Sequence, residues 1–200
     1  MILGELLLHD TLISIDDEEK IQALANQLAI FLKELHSVPV DKVIAFNPPS
    51  YNGYVEWNDM YARIQEKLFP HMNPDARKWV ASHFETFLSD PKNFDFKPVL
   101  VHGDFGPGNI LFDAKTWTIT GIIDFGSAGL GDPAVDFAGI FCQAGYEEDF
   151  LRRFYKVYPE IEFVMDRVRF YADTFALQEA LFGIENENED AFKRGIELYV

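Results

Sequence analysis

Two polar, glycine-bearing loops hold the side chains best suited to chemistry. The first reads VHGDFGPGNILF over 101–112 and the second GIIDFGSAGLGDPAVDFA over 121–138. Each presents a carboxylate just after a short apolar run. The first offers Asp104, with the amide of Asn109 five residues on, and the second offers Asp124. A hairpin between them would bring the loops together, because antiparallel strands return the chain to its start. Asn109 and Asp124 would then supply hard oxygen ligands suited to Mg²⁺, which keeps several waters and takes phosphate oxygens. Asp104 could orient a hydroxyl group and accept its proton. Positioning, metal neutralisation of charge and a base are the parts that phosphoryl transfer needs.

The flanking sequence supplies elements to position these loops. Over 16–37, Ile21, Leu24, Ala25, Leu28, Phe31, Leu32 and Leu35 recur at three- and four-residue steps and predict an amphipathic helix. Asp16 and Glu19 resemble a capping box, and Pro39 lies just past the end. A loop is expected over 40–53 and a helix over 54–69. A third helix is expected to about Leu88, capped by Asn73 and opened by Pro74. Short strands follow at 98–101 and 109–112, with a turn at 113–116, and the alternation over 116–123 predicts a further strand. Residues 124–133 read as a loop with three glycines. Helices are expected at 134–144, 147–158, 161–183 and 188–199, with the aromatic stripe Phe163, Phe170, Tyr171, Phe175 and Phe182 in the core. The fold class is therefore α+β and mostly helical, with a small central β-hairpin flanked by the two chemistry-bearing loops.

His102-Gly103-Asp104 with Asn109, followed by Ile123-Asp124-Phe125-Gly126, resembles the catalytic and metal-binding loops of the aminoglycoside phosphotransferase family. These are protein-kinase-like enzymes that phosphorylate small molecules. Gly131-Asp132-Pro133, Asp136, Ala138 and the segment 31–36 also resemble the family pattern, and the nearest likeness is to the aminoglycoside 2″-phosphotransferases. The resemblance implies a kinase-like C-terminal lobe over 1–200, with Asp104 as catalytic base and His102 bracing its loop. It implies that Asn109 and Asp124 hold Mg²⁺ against ATP or GTP, above an apolar floor from Leu111 and Ile123. Asp132 and Asp136 are expected to tie the second loop to the helix that follows, Asp132 as its N-cap. Glu147, Glu148 and, more remotely, Glu179 are candidates for binding a cationic acceptor; the alternative is a solvated helix start.

About a hundred residues precede the first loop, and none of the ten lysines sits in an apolar strand near the N-terminus. The nucleotide lobe of the family is therefore expected to be absent: either the chain is a truncated product or a partner supplies the missing half, and a homodimer contact could cover the exposed face. An incomplete kinase lobe is the leading expectation. The alternatives are a kinase for another small hydroxyl compound, such as an amino alcohol or sugar, and an inactive remnant or binding protein.

Composition narrows the field further. With 33 acidic and 17 basic residues the formal net charge is −16, which repels nucleic acid and anionic lipid; it either attracts cationic ligands or serves solubility alone. The single cysteine, Cys142, excludes an internal disulfide and reads as a buried structural thiol. No apolar run is long enough for a membrane span, and the first ten residues lack a signal-peptide pattern, so a cytoplasmic protein is expected. Two rival motifs stand beside the kinase reading. Gly103, Gly106 and Gly108 imitate a dinucleotide fingerprint, against which the expected strand after Asn109 argues. His102 with Asp104 could be part of a zinc site, but no third ligand is near in sequence. His9, His36, His71 and His83 are given no role.

Overall fold

The structure, a computed structural model, describes residues 4–51, 53–142 and 144–200. In chain order the elements are β1 (Glu5–Leu6), α1 (His9–Ile13), α2 (Glu18–His36), α3 (Val40–Ile44), α4 (Tyr54–Lys67) and α5 (Pro74–Ser89). Then come β2 (Val99–Val101), β3 (Ile110–Asp113), β4 (Thr118–Ile122), β5 (Gly129–Gly131), α6 (Ala134–Phe141), α7 (Glu147–Arg152), α8 (Met165–Glu185) and α9 (Glu189–Ile196). The chain divides into two compact units, one of residues 1–51 and 97–172, the other of 52–96 and 173–200.

The first unit carries both sequence loops. The hairpin is present: β3 and β4 pair antiparallel with Ile110 opposite Ile122 and Leu111 opposite Gly121, and a bulge follows Leu111. The Asp113 side chain closes the turn by accepting from the Lys115 amide at 2.8 Å. β1 adds a third strand, Leu6 opposite Leu111. The residues expected to form a loop over 124–133 contain β5, which pairs antiparallel with β2, Val101 opposite Gly129. Against these strands α2 turns a buried stripe of Leu24, Ala25, Leu28, Ala29 and Leu32, the face its periodicity predicts. Its cap is Asp17, not Asp16: the Asp17 carboxylate accepts from the Glu19 and Lys20 amides at 3.1 and 3.2 Å. Two short helices, α1 and α3, stand where no helix is expected. Five residues give too little repeat for periodicity to show, and α3 is started by Pro39.

The later helices are shorter than their sequence reading. α7 ends at Arg152 and continues as a 3-10 turn over Arg153–Lys156. Pro159 opens a second 3-10 stretch, Pro159–Val164, so the long helix starts at Met165 rather than 161. The expected aromatic core stripe is split. Phe170 and Tyr171 are buried, whereas Phe163, in the 3-10 stretch, is 83% exposed and Phe182 is also exposed. Cys142 is half-buried, and burial pushes its thiol up from the ordinary range.

The second unit is helical. Trp57, Tyr61 and Ile64 of α4 face inward with Val80, Phe84 and Phe87 of α5, and the Tyr61 and Phe84 rings stack at 5.1 Å. Asn73 caps α5 as expected, accepting from Asp75 and Ala76 amides at 3.0 and 2.9 Å. α9 crosses α8 closely enough that a Cβ on Gly195 would meet the Ala180 nitrogen at 2.3 Å. Glu185 joins Arg63 at 2.5 Å and Lys67 at 2.7 Å. No helix among the described residues is long and apolar enough to cross a membrane.

Candidate phosphotransfer site

The hairpin register makes the two loops neighbours. Beyond the Ile110–Ile122 pair, the Ile123 amide donates to the Asn109 carbonyl at 3.0 Å, so Asp124 follows directly on a residue bonded to Asn109. The Asn109 side chain points back into its own loop. Its Nδ2 donates to the Asp104 carbonyl at 2.8 Å and to Asp104 Oδ2 at 2.9 Å. One amide thus orients the carboxylate of Asp104, which is exposed.

His102 joins the loops from below. It is fully buried, and its Nε2 lies 2.9 Å from the Ile123 carbonyl. Its Nδ1 accepts the Asp104 amide at 3.2 Å. A carbonyl only accepts, so Nε2 carries the proton and the neutral ring serves both partners. With both nitrogens committed, His102 has none left for a zinc ion. The dinucleotide reading falls too, because β3 and not a helix follows Asn109. Gly103, between them, has φ +81°, and a Cβ there would lie 2.3 Å from the Ser127 carbonyl oxygen of the second loop. Only glycine permits this turn and approach together.

Asp124 sits in the left-handed region at φ 59°, ψ 66°, unusual for a residue with a side chain. Its carboxylate is exposed, and Oδ1 accepts weakly from the Gly126 amide at 3.3 Å. Phe125 beside it packs its ring 4.6 Å from His102 and, edge-on, 6.5 Å from Phe31. Leu111 and Ile123 are each half-buried beside these groups, Leu111 within the three-stranded sheet.

The contacts that fix the first loop come from residues to which its sequence drew less attention. Asp136, on α6, is completely buried. Its Oδ2 accepts the His102 amide at 2.9 Å and its Oδ1 the Gly103 amide at 2.8 Å. Its tie is therefore to the first loop, not to the start of its own helix. His36, given no role, donates to the same carboxylate at 3.1 Å. A carboxylate inside the run AVDFAGIF is the signal for such a partner, since a buried charge must be paired. Asp132 is equally buried. It accepts from the Ala134 amide at 3.1 Å, from Arg167 Nε at 2.5 Å and from the Tyr171 hydroxyl at 2.9 Å. The helix-start contact expected of Asp132 is present, although Pro133 occupies the cap position itself.

The acidic candidates differ among themselves. Glu147 begins α7, exposed and with φ 67°. Glu148 is engaged by Arg152 at 2.5 Å and Arg169 at 3.4 Å. Glu179 belongs to the second unit and pairs with Arg194 at 2.8 Å.

A loop carboxylate held by an asparagine, and a second carboxylate in a strained turn one hairpin pair away, stand together on a mostly helical frame. The chain belongs to the phosphotransferase enzyme family (APH), whose profile matches residues 2–171. It is 29% identical over 185 residues to the viomycin phosphotransferase of Streptomyces vinaceus, covering 90% of this chain and 62% of that protein. It is 25% identical over 164 residues to an aminoglycoside 3′-phosphotransferase of Streptomyces ribosidificus, covering 77% and 60%. Among solved structures it is similar to the GDP and kanamycin complex of APH(2″)-IIIa. The TM-score is 0.89 at 26% identity, with 99% of this chain and 67% of that one covered. The chain thus spans about six-tenths of the length of these curated relatives.

Proposed function

We propose that the chain forms the phosphotransfer lobe of a small-molecule kinase, a C-terminal lobe that works with a nucleotide lobe. It moves the γ-phosphoryl group of ATP or GTP to a hydroxyl of a cationic, aminoglycoside-like acceptor. The observation that carries this reading is the bond from Asn109 Nδ2 to Asp104 Oδ2, coupled through the Asn109 carbonyl to the residue before Asp124. Asp104 accepts the hydroxyl proton as the acceptor oxygen bonds to the γ-phosphorus. The bond from that phosphorus to the bridging oxygen breaks, and the nucleoside diphosphate leaves. Asn109 keeps the Asp104 carboxylate aimed, and His102 keeps its loop against the second one.

The donor set fits a magnesium ion. Asn109 spends its amide nitrogen on Asp104, which leaves its oxygen end as the acceptor, and Asp124 holds an exposed carboxylate out of the helical region. Asn109 Oδ1 and Asp124 would hold Mg²⁺, which when bound neutralises charge on the nucleotide phosphates. Leu111 and Ile123 would line the apolar floor under the purine. For the acceptor, the net charge of −16 favours a polycation, and exposed Glu147 is the acidic candidate without an arginine partner among the described residues; Glu148 and Glu179 share their charge with arginines. A second acceptor class, a sugar-derived hydroxyl compound, is favoured by 31% identity over 136 residues to a probable ketoamine kinase of Lactiplantibacillus plantarum. That match covers 64% of this chain and 48% of the relative.

Thermal melting with Mg²⁺ and ATP or GTP tests the lower half of the site. Nucleotide at about 100 times its Kd would stabilise the chain by about 2.7 kcal/mol, and Asp124→Ala would abolish the shift. Phosphate transfer to aminoglycosides, measured with and without a co-expressed nucleotide lobe, tests the rest. No shift at saturating nucleotide would favour a non-catalytic protein.

A further inference from the structure

A chain of buried and half-buried side chains runs behind the first loop and out to the segment after α7. The Tyr158 hydroxyl lies 3.2 Å from His36 Nδ1, and His36 Nε2 lies 3.1 Å from Asp136 Oδ2. The two oxygens of Asp136 hold the amides of His102 and Gly103, the residues immediately before Asp104. One tautomer of His36 serves both partners. An ionised carboxylate only accepts, so His36 donates from Nε2. In the Nε2–H tautomer Nδ1 is the acceptor, and the Tyr158 hydroxyl is the donor.

Tyr158 is itself held from several sides. Its amide donates to the Phe154 carbonyl at 2.8 Å, its ring meets Phe137 edge-on at 5.3 Å, and Lys33 Nζ stands 5.8 Å over its face. Lys33 also donates to the Val157 carbonyl at 2.8 Å. Burial, with the charges of Glu160 and Asp136, pushes the phenol up to about 12, so it keeps its proton at neutral pH. Tyr158 closes the segment that begins with Glu147 and Glu148. We propose that Tyr158 is a positioning residue: through His36 and Asp136 it sets the backbone of 102–103, and so couples the acidic segment after α6 to the placement of Asp104. The kinetic consequence rests on the phosphotransfer reading; the hydrogen-bond relay does not.

Tyr158→Phe removes one hydroxyl and leaves the ring. In long-range ¹H–¹⁵N spectra of the labelled 200-residue chain, wild-type His36 is expected as the Nε2–H tautomer. In the variant its Nδ1 signal should move to that of an unbonded acceptor. Hydrogen exchange at the His102 and Gly103 amides should quicken by about fivefold, the loss of one ordinary hydrogen bond, while Leu28 and Leu32 in α2 exchange as before. His36→Gln can keep a donor to Asp136 while losing Tyr158. Adding Tyr158→Phe to it should change nothing further at 102–103.

An Nδ1–H tautomer in the wild type overturns the relay. So does acceleration spread evenly over all amides, or an effect of Tyr158→Phe undiminished in the His36→Gln background. In the complete kinase, Tyr158→Phe should lower kcat and leave the nucleotide KM unchanged. If the wild type transfers no phosphate but the ring and amide changes appear, the phosphotransfer reading fails and the relay stands.

Discussion

Replacing Asp136 by asparagine probes the anchor of the candidate loop. The carboxylate is fully buried and meets three N–H donors, from His102 at 2.9 Å, Gly103 at 2.8 Å and His36 at 3.1 Å. Asparagine keeps one acceptor oxygen. Placed at the Oδ2 position it retains His102 and His36, but its NH₂ then faces the Gly103 amide, donor against donor. Leaving that buried N–H unpaired costs roughly 1–3 kcal/mol, and the two surviving bonds each lose about 1 kcal/mol of charge assistance. The loss is therefore about 3–5 kcal/mol. At about 2–4 °C per kcal/mol for a chain of this size, melting should fall by roughly 6–20 °C. Calorimetry measures the fall, and hydrogen exchange locates it: Gly103 should lose more protection than Leu28. A variant melting within about 2 °C of wild type, with Gly103 still protected, would refute the claim that Asp136 holds the loop.

Two further predictions concern charges that the fold pairs. Arg167→Met strips Asp132 of its guanidinium partner at 2.5 and 3.2 Å and leaves a buried carboxylate held by Tyr171 and a backbone amide. It should cost about 3–5 kcal/mol in denaturant unfolding, as breaking a buried pair does; a loss below 1 kcal/mol would show the pair to be incidental. In the second unit, hydrogen bonds from Arg63 and then Lys67 lower the Glu185 carboxyl from 4.5 to about 2. Its folded value lies below its unfolded one, so its contribution is present above about pH 4.5 and is lost as pH falls through about 2. Both cations are more than a third exposed, so screening reduces the contribution to about 1 kcal/mol. Glu185→Gln should be less stable than wild type at pH 7, with most of the difference gone by pH 2, and a constant difference across that range would refute the assignment.

The parts of the fold that announce themselves in the sequence are those with repeat or punctuation. α2 shows its buried face through seven apolar residues at helical steps, and α5 shows its start through Asn73-Pro74. The hairpin shows itself through two apolar runs around the turn at Asp113. What stays hidden is short or depends on a distant partner. α1 and α3 are single-turn helices, below the length at which a repeat can be seen. β5 is a strand only because β2 lies beside it, and its sequence Gly129-Leu130-Gly131 has no strand preference of its own. The same division runs through the site. Asp104, Asn109 and Asp124 are legible because their spacing is local. The links to Asp136 and His36 are not, since they join residues 34 and 100 positions apart.

The four aspartates of the two loops fall into two classes, and burial alone separates them. Asp104 and Asp124 are exposed, and Asp132 and Asp136 are entirely enclosed. A buried carboxylate is tolerable only if its lone pairs are taken, and the enclosed pair meet that condition with Arg167, Tyr171, His36 and backbone amides. Groups so committed are poor bases and poor metal ligands, whatever motif surrounds them. The exposed pair are the reverse. Asp104 spends one oxygen on Asn109 and Asp124 holds one long contact, so each keeps acceptor capacity toward solvent. The chemistry of phosphoryl transfer needs that spare capacity at two points and rigid placement of both. The enclosed pair supply the rigidity: Asp136 fixes the backbone that leads into Asp104, and Asp132 ties the end of the second loop to α8. Exchanging the roles, by burying Asp124 or freeing Asp136, would leave the same motif in the sequence without the spare acceptors and rigid placement that the proposed chemistry requires.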